Sequence, residues 1–174
     1  MITPVWVRAM AAYNSEMNRR LYTAADTLDD AARRADGDAF FGSIHGTLSH
    51  LVWGDHMWMS RFDGWEKPGV GIPGSASFVE DWDALKAARA EADARIKAWA
   101  ARVAPADLAA DLTWFSGAAG RELRRPRWLL VSHMFNHQTH HRGQAHALLT
   151  RAGAKTEATD LPWVIQRAAW DIPG

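Results

Sequence analysis

Apolar residues recur along this chain at steps of three and four, the spacing of one face of a helix. Trp6, Met10, Tyr13, Met17 and Leu21 form the first such stripe, with Thr3 placed to cap it and Pro4 in its first turn. Ile44, Leu48, Leu51, Asp55, Trp58 and Phe62 form a second, starting near Gly42 and Ser43 and ending at Phe62. A third runs from about residue 78 to 103 through Trp82, Leu85, Ala88, Ala92, Ile96, Trp99 and Val103, with charges on the opposite side and Pro105 at its end. Pro126 suits the start of a fourth, which carries Leu130, Met134, His137, His141, Gln144 and Leu148 before stopping at Gly153. Asp160 and Pro162 predict a short fifth helix, anchored by Trp163, Ile165 and Trp170.

The intervening segments read differently. Residues 26–38 are polar and alanine-rich, a connector with a short helical turn, broken at Gly37. Residues 63–77 hold Gly64, Pro68, Gly69, Gly71, Pro73 and Gly74, a composition that excludes regular structure and predicts a long surface loop of the kind that borders a site. Leu112 to Ser116, then Gly117 to Gly120, then Arg121 to Arg124 predict a small hairpin. The expected fold is therefore all-α: a four-helix bundle in one domain over residues 1–174, with a small hairpin before the fourth helix and a short C-terminal helix.

Composition narrows the function. A chain of 174 residues can bury one sizeable core. Its formal net charge is zero, so no basic surface points to nucleic acid or an anionic membrane as the main partner. With no cysteine, the chain has no disulfide, no thiolate metal ligand and no cysteine nucleophile. The first residues lack the basic and apolar regions of a signal peptide, and no stretch is apolar enough to span a bilayer, which predicts a soluble cytoplasmic protein. Ten tryptophans are many for this length and should line a core, a pocket or a subunit contact.

Four of the eight histidines fall between residues 133 and 144. His137 and His141 lie one turn apart and point the same way, the bite a metal ion needs, and a third donor must come from elsewhere. His50 is the candidate. It sits roughly 120° from the centre of the second stripe, beside Thr47, Gly54 and Met57, where it faces a groove between helices. Spacing alone leaves a second reading open, in which His133, His137 and His141 form a polar seam held by side chains or water. His140 and His146 fall on other faces, as solvent-exposed or interface residues, and His45 and His56 have no spacing argument for the site. The pair also resembles the zincin helix, but the glutamate that serves there as general base is Gln138 here, so a metalloprotease mechanism lacks its base. No nucleophile-elbow motif supports a Ser/His/Asp hydrolase.

Gly46-Thr47-Leu48-Ser49-His50-Leu51, followed far downstream by Asn136-His137-Gln138-Thr139-His140-His141-Arg142-Gly143-Gln144, resembles the DinB family of bacterial metal-binding four-helix proteins. The resemblance extends over nearly the whole chain and implies a three-histidine site for a divalent metal, commonly zinc or nickel, at His50, His137 and His141. It also implies kinship with thiol transferases that use bacillithiol, mycothiol or glutathione, and a homodimer. The family name records induction by DNA damage and does not imply DNA binding. The leading expectation is a metal-dependent enzyme, a thiol S-transferase acting on a small electrophilic molecule; the alternative is a non-catalytic, metal-stabilised ligand-binding or stress-response protein. No catalytic residue is assigned. Asn136, His133 and Gln144 are candidates to orient the ligands, and Asp55, a carboxylate inside an apolar stripe, needs a donor and could anchor a neighbouring helix or a ligand histidine.

Overall fold

The structure is a computed structural model that describes residues 1–117 and 119–166, so Trp170 lies outside the described residues. In chain order it contains α1 (Pro4–Ala25), α2 (Asp30–Arg34), α3 (Ile44–Phe62), a 3-10 turn (Ile72–Ser77), α4 (Trp82–Arg102), α5 (Pro105–Ala109), β1 (Asp111–Ser116), β2 (Arg121–Pro126), α6 (Arg127–Arg151) and α7 (Leu161–Val164). The chain is mostly helical. Starts are set by side chains that take up a free backbone N–H: Thr3 accepts from Trp6 N, Ser43 from Gly46 N and Asp81 from Ala84 N. The Asp81 cap explains why the third long helix begins at Trp82 rather than near residue 78. The hairpin forms as expected, with β1 and β2 antiparallel and Asp111 opposite Pro126. Among the described residues no helix is long and apolar enough to cross a membrane.

The four long helices pack on one another, α1 against α4 and α6, and α3 against the same two. Their inward residues sort into layers. Val7, Ala11, Met59, Phe62, Ile96, Trp99, Met134 and Phe135 belong to one apolar cluster. Leu21, Ile44, Leu48, Leu51, Leu85, Leu148 and Leu149 belong to another. Between these levels the same helices bury Asn14 and Asn18 from α1, Asp55 from α3, Arg89 and Asp93 from α4, and Gln138 and Arg142 from α6. Arg89 Nη1 stands 2.6 Å from Asp55 Oδ2, and Arg89 Nη2 donates to Asp93 Oδ1 at 2.8 Å. Asn18 Nδ2 donates to Asp93 Oδ1 at 2.9 Å. Burial works against the Arg89 charge, but Asp93 and Asp55 outweigh it and push the guanidinium up.

The structure corrects several expectations. Arg89 and Asp93 are not on the outer face of the third helix; four residues apart, they share a face that points inward. Residues 63–77 are not devoid of regular structure, because Pro73 enters the first turn of the 3-10 segment and Ser75 is buried within it. Trp6, Met10 and Trp58 are only partly buried, while their neighbours Val7, Ala11 and Met59 take the centre of the core. Trp163 does not anchor the tail, since it is 84% exposed and α7 buries nothing. The preceding strand of chain does that work: Tyr13 Oη donates to Thr159 O at 2.6 Å and Arg20 Nη1 to Ala158 O at 2.8 Å.

Candidate metal centre

His50 on α3 meets His137 and His141 on α6. The potential ligand atoms of the three histidines all lie within 4.8 Å of one another, a cluster that can hold a metal ion. His50 Nε2 and His137 Nε2 are 3.1 Å apart. Two nitrogens bound to one tetrahedral zinc at the usual bond length stand ~3.3 Å apart, so this pair is close to a chelating separation. Gly54, one turn beyond His50, leaves room for the ring: a Cβ there would lie 3.1 Å from His137 Cε1.

Hydrogen bonds decide which nitrogen each ring presents. Ser75 Oγ donates to Ile72 O at 2.7 Å, which uses its single proton, so at 2.8 Å it accepts from His50 Nδ1–H. Gln144 Oε1 lies 2.7 Å from His141 Nδ1 and can only accept, so His141 Nδ1 also carries the proton. The Gln144 amide nitrogen points towards His140 Nε2 at 3.4 Å, consistent with that orientation. Both rings thereby leave Nε2 unprotonated, with its lone pair available, the arrangement in which a partner on the far nitrogen orients a metal-binding histidine.

Burial and neighbouring rings keep the cluster neutral. His50 is held down to about 3 by burial, then by His137 and His141. His137 is held down to about 3 by burial, then by His141, His133 and His140. Burial also lowers His141, against the Gln144 hydrogen bond that favours its charged form. A neutral imidazole is the form that binds a cation. Apolar rings enclose the first of them: Phe41 stacks on His50 with centroids 3.7 Å apart, and Trp53 stacks on it at 5.4 Å. Gly46 permits this, since a Cβ there would come within 2.4 Å of the Phe41 carbonyl oxygen.

Of the residues expected to orient the ligands, Gln144 does so. His133 stands 6.0 Å from His137 between ring centroids and packs edge-on against Trp58 instead. Asn136 is exposed. Asp55 anchors two neighbouring helices, α4 through Arg89 and α6 through Gln138, whose Nε2 donates to Asp55 Oδ1 and to Leu51 O. His45 is buried and donates from Nε2 to Val79 O, outside the cluster. Sequence reasoning missed Ser75 and Phe41, which come from connecting segments with no periodicity to place them. Gly54 was visible beside His50 on the wheel, without its purpose.

A family model, the DinB family, matches residues 1–172. Comparison with curated proteins and with solved structures gives no match. With a match over nearly its whole length, and with histidines of both motif blocks meeting in one cluster, the chain belongs to the DinB family.

Proposed function

We propose that His50, His137 and His141 hold a divalent metal ion, zinc or nickel, and that the protein is a metal-dependent enzyme joining a low-molecular-weight thiol to a small electrophilic molecule. The observation that supports this most is the tautomer set: two of three converging imidazoles have Nδ1–H tied to Ser75 and Gln144, leaving Nε2 for a cation. Three neutral ligands leave coordination open, as catalytic sites do. When bound, such a cation supplies acidity to a thiol, so that mycothiol, glutathione or bacillithiol provides thiolate at neutral pH although the chain has no cysteine. The protein's residues would do the rest. Ser75 and Gln144 orient the rings, burial keeps them unprotonated, and Phe41 and Trp53 exclude water beside His50. This reading includes a single domain folded as a four-helix bundle, working in the cytoplasm as a homodimer, with neither nucleic acid nor membrane as partner.

The rival reading is a metal-stabilised ligand-binding or stress-response protein without turnover; the close covering of His50 by Phe41 is what favours it. Elemental analysis after dialysis comes first, on wild type and His137→Ala. Near-stoichiometric metal in wild type and none in the variant is expected. A wild type that neither contains nor takes up zinc or nickel would return the histidines to a polar seam. Thiol consumption in the presence of an electrophile, lost in His137→Ala, then separates enzyme from binding protein.

A further inference from the structure

On the side of α6 away from the histidine cluster, α1, α6 and the 156–159 segment surround a cleft of about 350 Å³. That is the lower end of the range for small-molecule sites. Arg142 lines it and is only 5% exposed. Among the described residues its hydrogen-bond partners are both neutral: Nη1 donates to Asn14 Oδ1, and Nη2 to Thr139 Oγ1 at 3.2 Å. The guanidinium carbon also stands 5.7 Å from the Tyr13 ring, and the charges of Asp55 and Asp93 favour that of Arg142 without an ion pair or hydrogen bond to it among the described residues. The contrast with the other buried arginine of the layer is sharp, because Arg89 has Asp55 and Asp93. Arg20, also on the cleft wall, is already held by Glu16 at 2.8 Å and Glu157 at 3.5 Å. A guanidinium has five N–H donors, and a buried cation without a directly paired carboxylate is costly, so Arg142 has both the donors and the electrostatic reason to take an anion.

An exposed residue of the cleft lining supplies the second observation. Gly143 lies inside the 25-residue helix α6, where glycine weakens a helix relative to alanine. A Cβ built on it meets nothing within 4 Å. No packing constraint therefore requires glycine there, and its absent side chain leaves that part of the lining open. Met17 and Leu21 form an apolar wall. We propose that this cleft is a second ligand site that takes a small organic carboxylate, its carboxylate paired with Arg142 and its apolar body lying over Gly143 against Met17 and Leu21. Arginine's planar fork matches a carboxylate with two parallel hydrogen bonds.

Calorimetric titration of the full chain with benzoate and hexanoate, beside benzamide and hexanamide, tests this. The carboxylates should bind at least about tenfold more tightly than the amides, the factor expected from a charge-assisted hydrogen bond. Gly143→Leu adds a side chain to the cleft lining where a Cβ meets nothing, so it should lose carboxylate binding while keeping or raising its thermal midpoint and keeping its metal content. Arg142→Gln should lose it too, and if that variant fails to fold, Gly143→Leu decides alone. His137→Ala should bind the carboxylates as wild type does. Equal binding of acids and amides, wild-type affinity in Gly143→Leu, loss of binding in His137→Ala, or no binding of either carboxylate to wild type would each overturn the assignment.

Discussion

Replacing Arg89 with methionine leaves Asp55 and Asp93, 1% and 7% exposed, without the cation that lies between them. Breaking one buried ion pair costs about 3–5 kcal/mol, and here two carboxylates lose the same partner, which places the loss near ~5 kcal/mol. For a chain of this size that corresponds to a fall in melting temperature of roughly 10–20 °C. The variant should also respond to pH in a particular way. Burial already pushes the Asp55 carboxyl up despite Arg89 and Gln138. Without Arg89 the folded state holds protons that the unfolded state releases above about pH 4, so the variant should be less stable at pH 8 than at pH 5. Urea unfolding of metal-free protein, followed by tryptophan fluorescence and far-UV circular dichroism, measures both effects. The combined Asp55→Leu, Arg89→Met, Asp93→Leu variant removes the three charges that pair with one another and should recover most of the loss, because apolar residues can replace buried ion pairs at little cost. A single variant within about 1 kcal/mol of wild type, or a triple variant as unstable as the single one, would show that these charges are solvated and that the buried polar layer is misread.

Gly54→Leu should weaken metal binding without altering a proposed ligand, since even a Cβ at residue 54 would stand 3.1 Å from His137 Cε1; metal content after dialysis checks this, and unchanged content refutes it. Acid should destabilise the metal-free protein through His50 and His137, whose folded forms protonate only at about 3. The unfolded chain takes up protons below about pH 6.5, so their contribution is intact above that value and declines towards pH 3, by up to about 1.4 kcal/mol per pH unit for buried His50 and less for half-buried His137. A melting temperature that is flat from pH 7 to 4, or equally steep in His50→Gln, would contradict it.

Helices were legible because their signal is redundant. Each stripe repeats over about four to six turns, and caps such as Thr3 and Ser43 mark the starts, so the order of elements follows from spacing. What periodicity does not carry is the meaning of a polar residue on the inward face. Arg89 and Asp93 lie between Leu85 and Ile96 on the same face of α4, yet charge alone suggested the outside; only the opposing Asp55, from a different helix, explains their burial. Asp55 itself was readable as a carboxylate in need of a donor, while the identity of that donor depends on how three helices meet. The histidine pair on α6 was legible for the same reason as the helices. Ser75 and Phe41 were not, because a 3-10 turn and a loop place them by packing rather than by local pattern.

Gln138 shows how the histidine cluster and the core constrain one another. It lies between His137 and His141 in sequence, at the position where a zincin carries its general base. Its side chain is 1% exposed and turns away from the cluster, donating to Leu51 O and to Asp55 Oδ1 on α3. The absence of a base therefore has a geometric cause as well as a chemical one. A glutamate here would bring a second carboxylate against Asp55 in a buried layer and would still face the core rather than a substrate. An amide is the group that fits, because it donates to a carboxylate and a carbonyl at once. Those two hydrogen bonds join α6 to α3 one residue from His137, at positions one and five residues beyond His50. They tie the two helices together beside the 3.1 Å approach of the two Nε2 atoms.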